Sequence, residues 1–169
     1  MGSHRSEIRG WEALALIAVL IAAIAFRTWD LDRVPPGLTH DEASNGHDAA
    51  AVLRGVCPIY FTVGYGHEPL YPYSVALLMA LLGKTDLILR LTTVMWGLGL
   101  ILSSYLLTRR LLGAMPALVT AAWMAVSFWC VMTSRVGLRA ITSATTFTAS
   151  AYAFWRAVSP PRAASGSRE

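Results

Sequence analysis

Apolar residues fall in long uninterrupted runs along this chain, and polar residues gather between the first run and the later ones. Trp11 to Trp29 is the first run, bracketed by two tryptophans of the kind that sit at a membrane–water boundary. Leu87 to Leu112 carries only Arg90, Arg109 and Arg110 as charges, all near its ends, and Ala114 to Thr133 carries none. Each run meets the roughly 20 residues a helix needs to cross a bilayer. The predicted fold is all-α, a polytopic membrane protein with about four spans near residues 11–29, 88–108, 115–133 and 138–157.

Residues 30–87 form an outer loop on this reading. Pro35-Pro36-Gly37 halts a helix, and Thr39 with Glu42 three residues later completes a T-x-x-E capping box. That predicts a short helix over about 40–54, followed by a Gly- and aromatic-rich loop from Gly55 to Gly66. A second short apolar helix is predicted over 69–82, opened by Pro69 and closed by Gly83. It would reach only about 21 Å, short of a hydrocarbon core of roughly 30 Å, so it lies beside the membrane or re-enters it. Charge placement agrees. With 69–82 not crossing, Arg109-Arg110 share a side with Arg5 and Arg9 and with Arg156, Arg162 and Arg168, as the positive-inside rule prefers.

The N-terminus (1–10) and a disordered, Pro-containing tail (158–169) are then cytoplasmic, while loop 30–87 and the turn at 134–137 are extracytoplasmic. The last span carries Thr142, Ser143, Thr145, Thr146, Thr148 and Ser150, which suits a helix facing protein and bonding to its own or neighbouring carbonyls. The first run has a rival reading, a signal peptide cleaved after Ala25. Its continuation into Phe26 without a polar break argues against that.

Composition strengthens the membrane reading. Hydrophobic residues make up 55% and charged residues 14%, against about a quarter charged in soluble domains. The net charge of +4 comes from arginines that flank apolar runs rather than from a basic stripe, so it concerns topology and excludes a nucleic-acid partner. Cys57 and Cys130 show neither CxxC nor zinc spacing. They read as unrelated thiols, or as a disulfide only if both lie on the outer face.

Candidate chemistry is concentrated in the loop. His40-Asp41-Glu42 crowds two carboxylates together, which would raise the pKa of one and suit it to general-base work. The bland alternative is that both merely favour a helix N-terminus. His40, Asp41, His47 and Asp48 lack a recognised metal spacing. His67 and Glu68 open the second short helix and either serve as a capped start or converge with Asp41 on one cavity. Arg90 and Arg135 stand at outer span ends, where an arginine either snorkels or grips a phosphate head group through its planar donor fork. Arg27 reads as snorkelling. Tyr60, Tyr65, Tyr71 and Tyr73 could stack on sugar rings or form an interfacial belt.

The order of these segments resembles GT-C membrane glycosyltransferases. A span ending in "DLDRVPPGLTHDE" leads to "HEPLYPYSVALLMALLGKTDLILRLTTVMWGLGLILSSYLLTRRLLG" and then "SFWCVMTSRVGLRA". The resemblance covers residues 8–157 and is nearest to the protein O-mannosyltransferase and lipid A aminoarabinose transferase branch. It implies inverting transfer of a sugar from a polyprenyl-phosphate donor on the extracytoplasmic face. Asp41 would then be the catalytic base and Glu42 an acceptor-positioning neighbour. His67, Glu68 and Arg90 would contribute to substrate binding, and Arg135 would face the donor phosphate.

Relatives often show Lys-Pro-Pro or His-Pro-Pro where this chain has His67-Glu68-Pro69. No metal or other cofactor is predicted. The partners implied are membrane lipids and the lipid-linked donor. Family members run to several hundred residues, so a C-terminal half or a partner subunit is also expected, and activity of the chain alone stays open. The alternative from another class is a non-catalytic membrane scaffold or transporter-accessory protein.

Overall fold

The computed structural model describes residues 10–62 and 66–158, which form an all-helical bundle. The N-terminal arginines, Tyr65 and residues 159–169 of the tail expected to be disordered lie outside the described residues, while Val158 ends α7. The helices are α1 (Gly10–Thr28), α2 (His40–Leu53), α3 (Leu70–Leu82), α4 (Asp86–Leu112), α5 (Ala114–Val126), α6 (Phe128–Arg135) and α7 (Ala140–Val158). Among the described residues the only extended pairing is an isolated bridge between Phe61 and His67.

α1 is built inside out. Its aliphatic side chains at the i, i+3, i+7 and i+10 positions Leu14, Ile17, Ile21 and Ile24 face outward, with Leu14 70% exposed. Its two charged residues, Glu12 and Arg27, are 1% and 0% exposed. Water would select the opposite arrangement, whereas lipid surrounding the helix selects this one, because intramembrane charges face the bundle interior. Glu12 accepts from Tyr105 Oη and pairs with Arg109, which ties the start of α1 to the end of α4.

α4 is the central helix and packs against α7, α5, α6 and α3. Its 27 residues extend about 40 Å, enough to cross a bilayer and protrude. The polypeptide runs up α1, down α4, up α5–α6 and down α7. The ends of α1 and α6 and the starts of α4 and α7 therefore meet at one end of the bundle, joined there by α2. Among the described residues two helices, α1 and α4, are long and apolar enough to cross a membrane, and the α5–α6 pair makes a third if counted as one bent span.

The run expected to be one straight span at 115–133 is broken at Ser127, with a 58° bend between α5 and α6. A side chain inserted into the helical ladder causes it. Arg27, from α1, donates to the carbonyls of Ala125 (2.9 Å) and Met124 (2.9 Å), which a continuous helix would have given to Phe128 and Trp129. The same bonds correct the expectation that Arg27 snorkels to the surface. Its head group lies wholly inside the bundle.

α7 is 19 residues long, but its hydroxyls keep it below the apolarity of the other candidates. Thr145, Thr146 and Thr148 bond back one turn to Ile141, Thr142 and Ala144. Thr145 also reaches the carbonyl of Trp96 on α4 at 3.0 Å. The short helices expected over about 40–54 and 69–82 are α2 and α3. They share a core of Ala49, Tyr71, Val75 and Met79 with Ile88 and Leu89 of α4.

Candidate functional site

The site is built on α2, whose packed face is polar. Thr39 caps the helix: its hydroxyl accepts from the Glu42 amide at 3.2 Å, and the Glu42 carboxylate accepts from the Thr39 amide at 2.8 Å. The buried positions that follow are Glu42, Asn45, Asp48 and Ala49. Three carboxylate or amide side chains turned inward are costly unless each is held. Their partners come from distant parts of the chain.

Glu42 is the hub. Besides Thr39, its carboxylate accepts from the Gly137 amide at 3.0 Å and from Arg90 Nε at 3.3 Å. Burial pushes its pKa up, but hydrogen bonds from the Thr39 and Gly137 amides and the Thr39 hydroxyl, with the charge of Arg90, outweigh that. The net effect holds it below the usual carboxylate range. Crowding beside Asp41 was expected to raise one of the two carboxylates, and Glu42 moves the other way because donors surround it.

Asn45 Nδ2 donates to the Gly137 carbonyl at 3.0 Å, so both backbone groups of Gly137 are gripped by α2. A Cβ at Gly137 would lie 2.9 Å from Glu42 Cγ and 3.2 Å from Tyr71 Oη. Only glycine fits this α6–α7 turn as it stands. The helical breaks on either side made the turn legible in sequence, but not its role as a latch on α2.

Asp41 sits at i, i+4 and i+7 with Asn45 and Asp48, on one stripe of α2. Asn45 and Asp48 are buried, whereas the Asp41 side chain is 64% exposed, because the stripe runs out past the packed elements there. His40 Nδ1 lies 3.9 Å from the Asp41 carboxylate and is itself exposed. His67 is not brought to Asp41. Its Nε2 lies 3.0 Å from Asp48 Oδ2 with both side chains buried, and its ring stacks on Phe61 at 5.3 Å. Glu68 is exposed. Tyr71 is buried, with its hydroxyl donating to the Leu89 carbonyl and paired with Thr93 Oγ1 at 2.7 Å. Tyr73 bonds to the Pro58 carbonyl, and Tyr60 is exposed. Cys57 and Cys130 are free thiols.

The two predicted phosphate-binding arginines hold backbone. Arg90 donates to the carbonyls of Leu31 (2.9 Å) and Gly37 as well as to Glu42. Arg135 donates to Phe26 (2.9 Å), Trp29 (2.8 Å) and Val34 (2.8 Å). Together they fold the loop after α1 onto α4 and α6. At Arg135 a mostly apolar cavity of about 530 Å³ opens between the end of α1 and α6, lined also by Phe26, Trp29, Asp30, Val131 and Met132.

Glu42 and Arg90 are thus joined, while His67 pairs with Asp48 and Arg135 bonds to carbonyls of Phe26, Trp29 and Val34. What the sequence did not indicate was Asn45, Gly137 and the Asp48–His67 pair. Each depends on a contact between separate segments of the chain and not on a local motif. A family model described as dolichyl-phosphate-mannose-protein mannosyltransferase matches residues 66–165. No curated protein and no solved structure matches the chain.

Proposed function

The chain belongs to the dolichyl-phosphate-mannose-protein mannosyltransferase family, and from that premise we propose that it acts in sugar transfer from a polyprenyl-phosphate donor to an acceptor hydroxyl on the extracytoplasmic face, with Asp41 as base. It is a membrane glycosyltransferase of the GT-C kind. The donor, the acceptor and the sidedness are the proposed part, as is a four-span topology in which α7 crosses beside α4.

The observation that carries the reading is the contrast between two adjacent carboxylates. Glu42 is locked by Thr39, Gly137 and Arg90, whereas Asp41 next to it stays open to solvent at the mouth of the polar stripe. A base must reach an incoming hydroxyl, and a locked, buried carboxylate cannot. Glu42 and Arg90 act by fixing the helix start that carries Asp41. The mostly apolar cavity at Arg135 has the character a prenyl chain needs, an oily wall with a few polar groups.

In this mechanism Asp41 takes the proton from the acceptor oxygen as that oxygen bonds to the sugar anomeric carbon. The carbon–oxygen bond to phosphate breaks on the opposite face, and the lipid phosphate leaves with the electron pair. General-base help of this kind contributes about 10²–10⁴-fold. Asp41→Asn should lower sugar transfer from a polyprenyl-phosphate sugar by that factor in membranes containing the protein, without changing its abundance. Transfer at the parental rate would remove Asp41 from the chemistry.

A further inference from the structure

Arg90, Arg135 and Arg139 all stand at the site end of the bundle. The first two have their guanidinium groups occupied, Arg90 by Glu42, Leu31 and Gly37, and Arg135 by three carbonyls at the end of α1 and the loop beyond. Arg139 differs. It is half-buried, and among the described residues its side chain has no ion pair or hydrogen bond. Its bonds are main-chain ones, its carbonyl accepting from the Thr142 amide at 2.9 Å and the Thr142 hydroxyl at 2.7 Å.

Position makes this cation informative. Arg139 follows Gly137 by two residues, at most about 7 Å of chain. Both backbone groups of Gly137 are bonded to Glu42 and Asn45, which lie one and four residues after Asp41 on α2. The latch therefore ties the turn that carries Arg139 to the part of α2 that carries Asp41. An arginine held partly out of water gains from a counter-anion, and its planar fork suits two oxygens of one phosphate.

We infer that Arg139, rather than Arg90 or Arg135, binds the lipid-borne phosphate of the donor. This rests on the donor proposed above being phosphate-linked. The base and the phosphate-binding cation would then come from α2 and the α6–α7 turn, with Gly137 setting the distance between them.

The test uses the full chain in phosphatidylcholine nanodiscs, titrated with a polyprenyl monophosphate and followed by tryptophan fluorescence. Arg139→Gln should weaken binding roughly 10–100-fold, the range of a hydrogen bond to a charged group, with helicity and thermal unfolding unchanged. Arg139→Lys, which keeps charge without the fork, should weaken it several-fold, and decides the matter if the Gln variant does not fold. Parental affinity in the folded variants overturns the inference, as does equal competition by inorganic phosphate. No binding by the parent overturns both this inference and the lipid-phosphate donor. Normal binding with undiminished transfer by Asp41→Asn would remove the base and leave Arg139 standing.

Discussion

Glu42→Gln is the sharpest probe of how the loop is held. The substitution keeps size and leaves an amide oxygen to accept from Thr39 or Gly137, so its main effect is to remove the charge facing Arg90. The two side chains are 0% and 4% exposed, so solvent screens little of the loss. Breaking a buried ion pair from one side costs about 3–5 kcal/mol, because the remaining charge is uncompensated. Arg90 retains the Leu31 and Gly37 carbonyls, which places the expected cost near the lower end, about 3 kcal/mol. For a chain of this size that lowers the melting temperature by roughly 6–12 °C. Thermal unfolding in detergent, followed by near-UV circular dichroism, reads it directly. Combining Glu42→Gln with Arg90→Met should cost less than the two single changes together, by about 0.5–3 kcal/mol. A melting temperature within 1–2 °C of the parent, or strict additivity in the double variant, would refute the hub.

Three further outcomes follow from the same geometry. Gly137→Ala places a methyl 2.9 Å from Glu42 Cγ and should cost about 1–3 kcal/mol through overpacking. A chemical-denaturation midpoint equal to the parent's would show that the turn is not latched. Arg27→Leu frees the Met124 and Ala125 carbonyls to accept from Phe128 and Trp129, so the 58° bend should relax. Spin labels at positions 115 and 133 should then move apart, and an unchanged distance would mean that something other than Arg27 breaks the helix. Finally, Glu42 is held below its ordinary value of 4.5, so its contribution to stability is full above pH 4.5 and lost as pH falls through its lowered value. Melting temperatures taken from pH 7 to pH 3 should show this acid loss in the parent and less of it in Glu42→Gln; equal losses would exclude Glu42 as the source.

Local signals carried much of the fold. Thr39 and Glu42 mark the start of α2, Gly83 and Gly113 mark the ends of α3 and α4, and the long apolar runs of α1 and α4 are plain in the chain. The break at Ser127 was hidden because its cause is Arg27, 98 residues away from Ala125, and no local breaker residue stands there. The inward positions of Arg90 and Arg135 were equally hidden. An arginine that grips backbone carbonyls and one that awaits a phosphate have the same flanking residues, and only the geometry of their surroundings separates them. His67 illustrates the same limit, since its partner Asp48 sits on another helix.

Arg27 and Arg135 also set an order of assembly. Arg27, on α1, holds the carbonyls at the α5–α6 break, and Arg135, on α6, holds the carbonyls at the end of α1. Each helix end is finished by a side chain borrowed from the other. At about 5–20 residues per second, Arg27 is synthesised roughly 5–20 s before the Ala125 carbonyl exists. Through that interval Arg27 has, of the three carbonyls it holds in the bundle, only that of Ala23 in its own helix, at 3.2 Å. Arrival of the α5–α6 segment supplies the missing acceptors and draws the cation inward. The first helix thus has its buried cation completed only by later helices, and a ribosome-bound intermediate truncated before Met124 should leave Arg27 accessible to water.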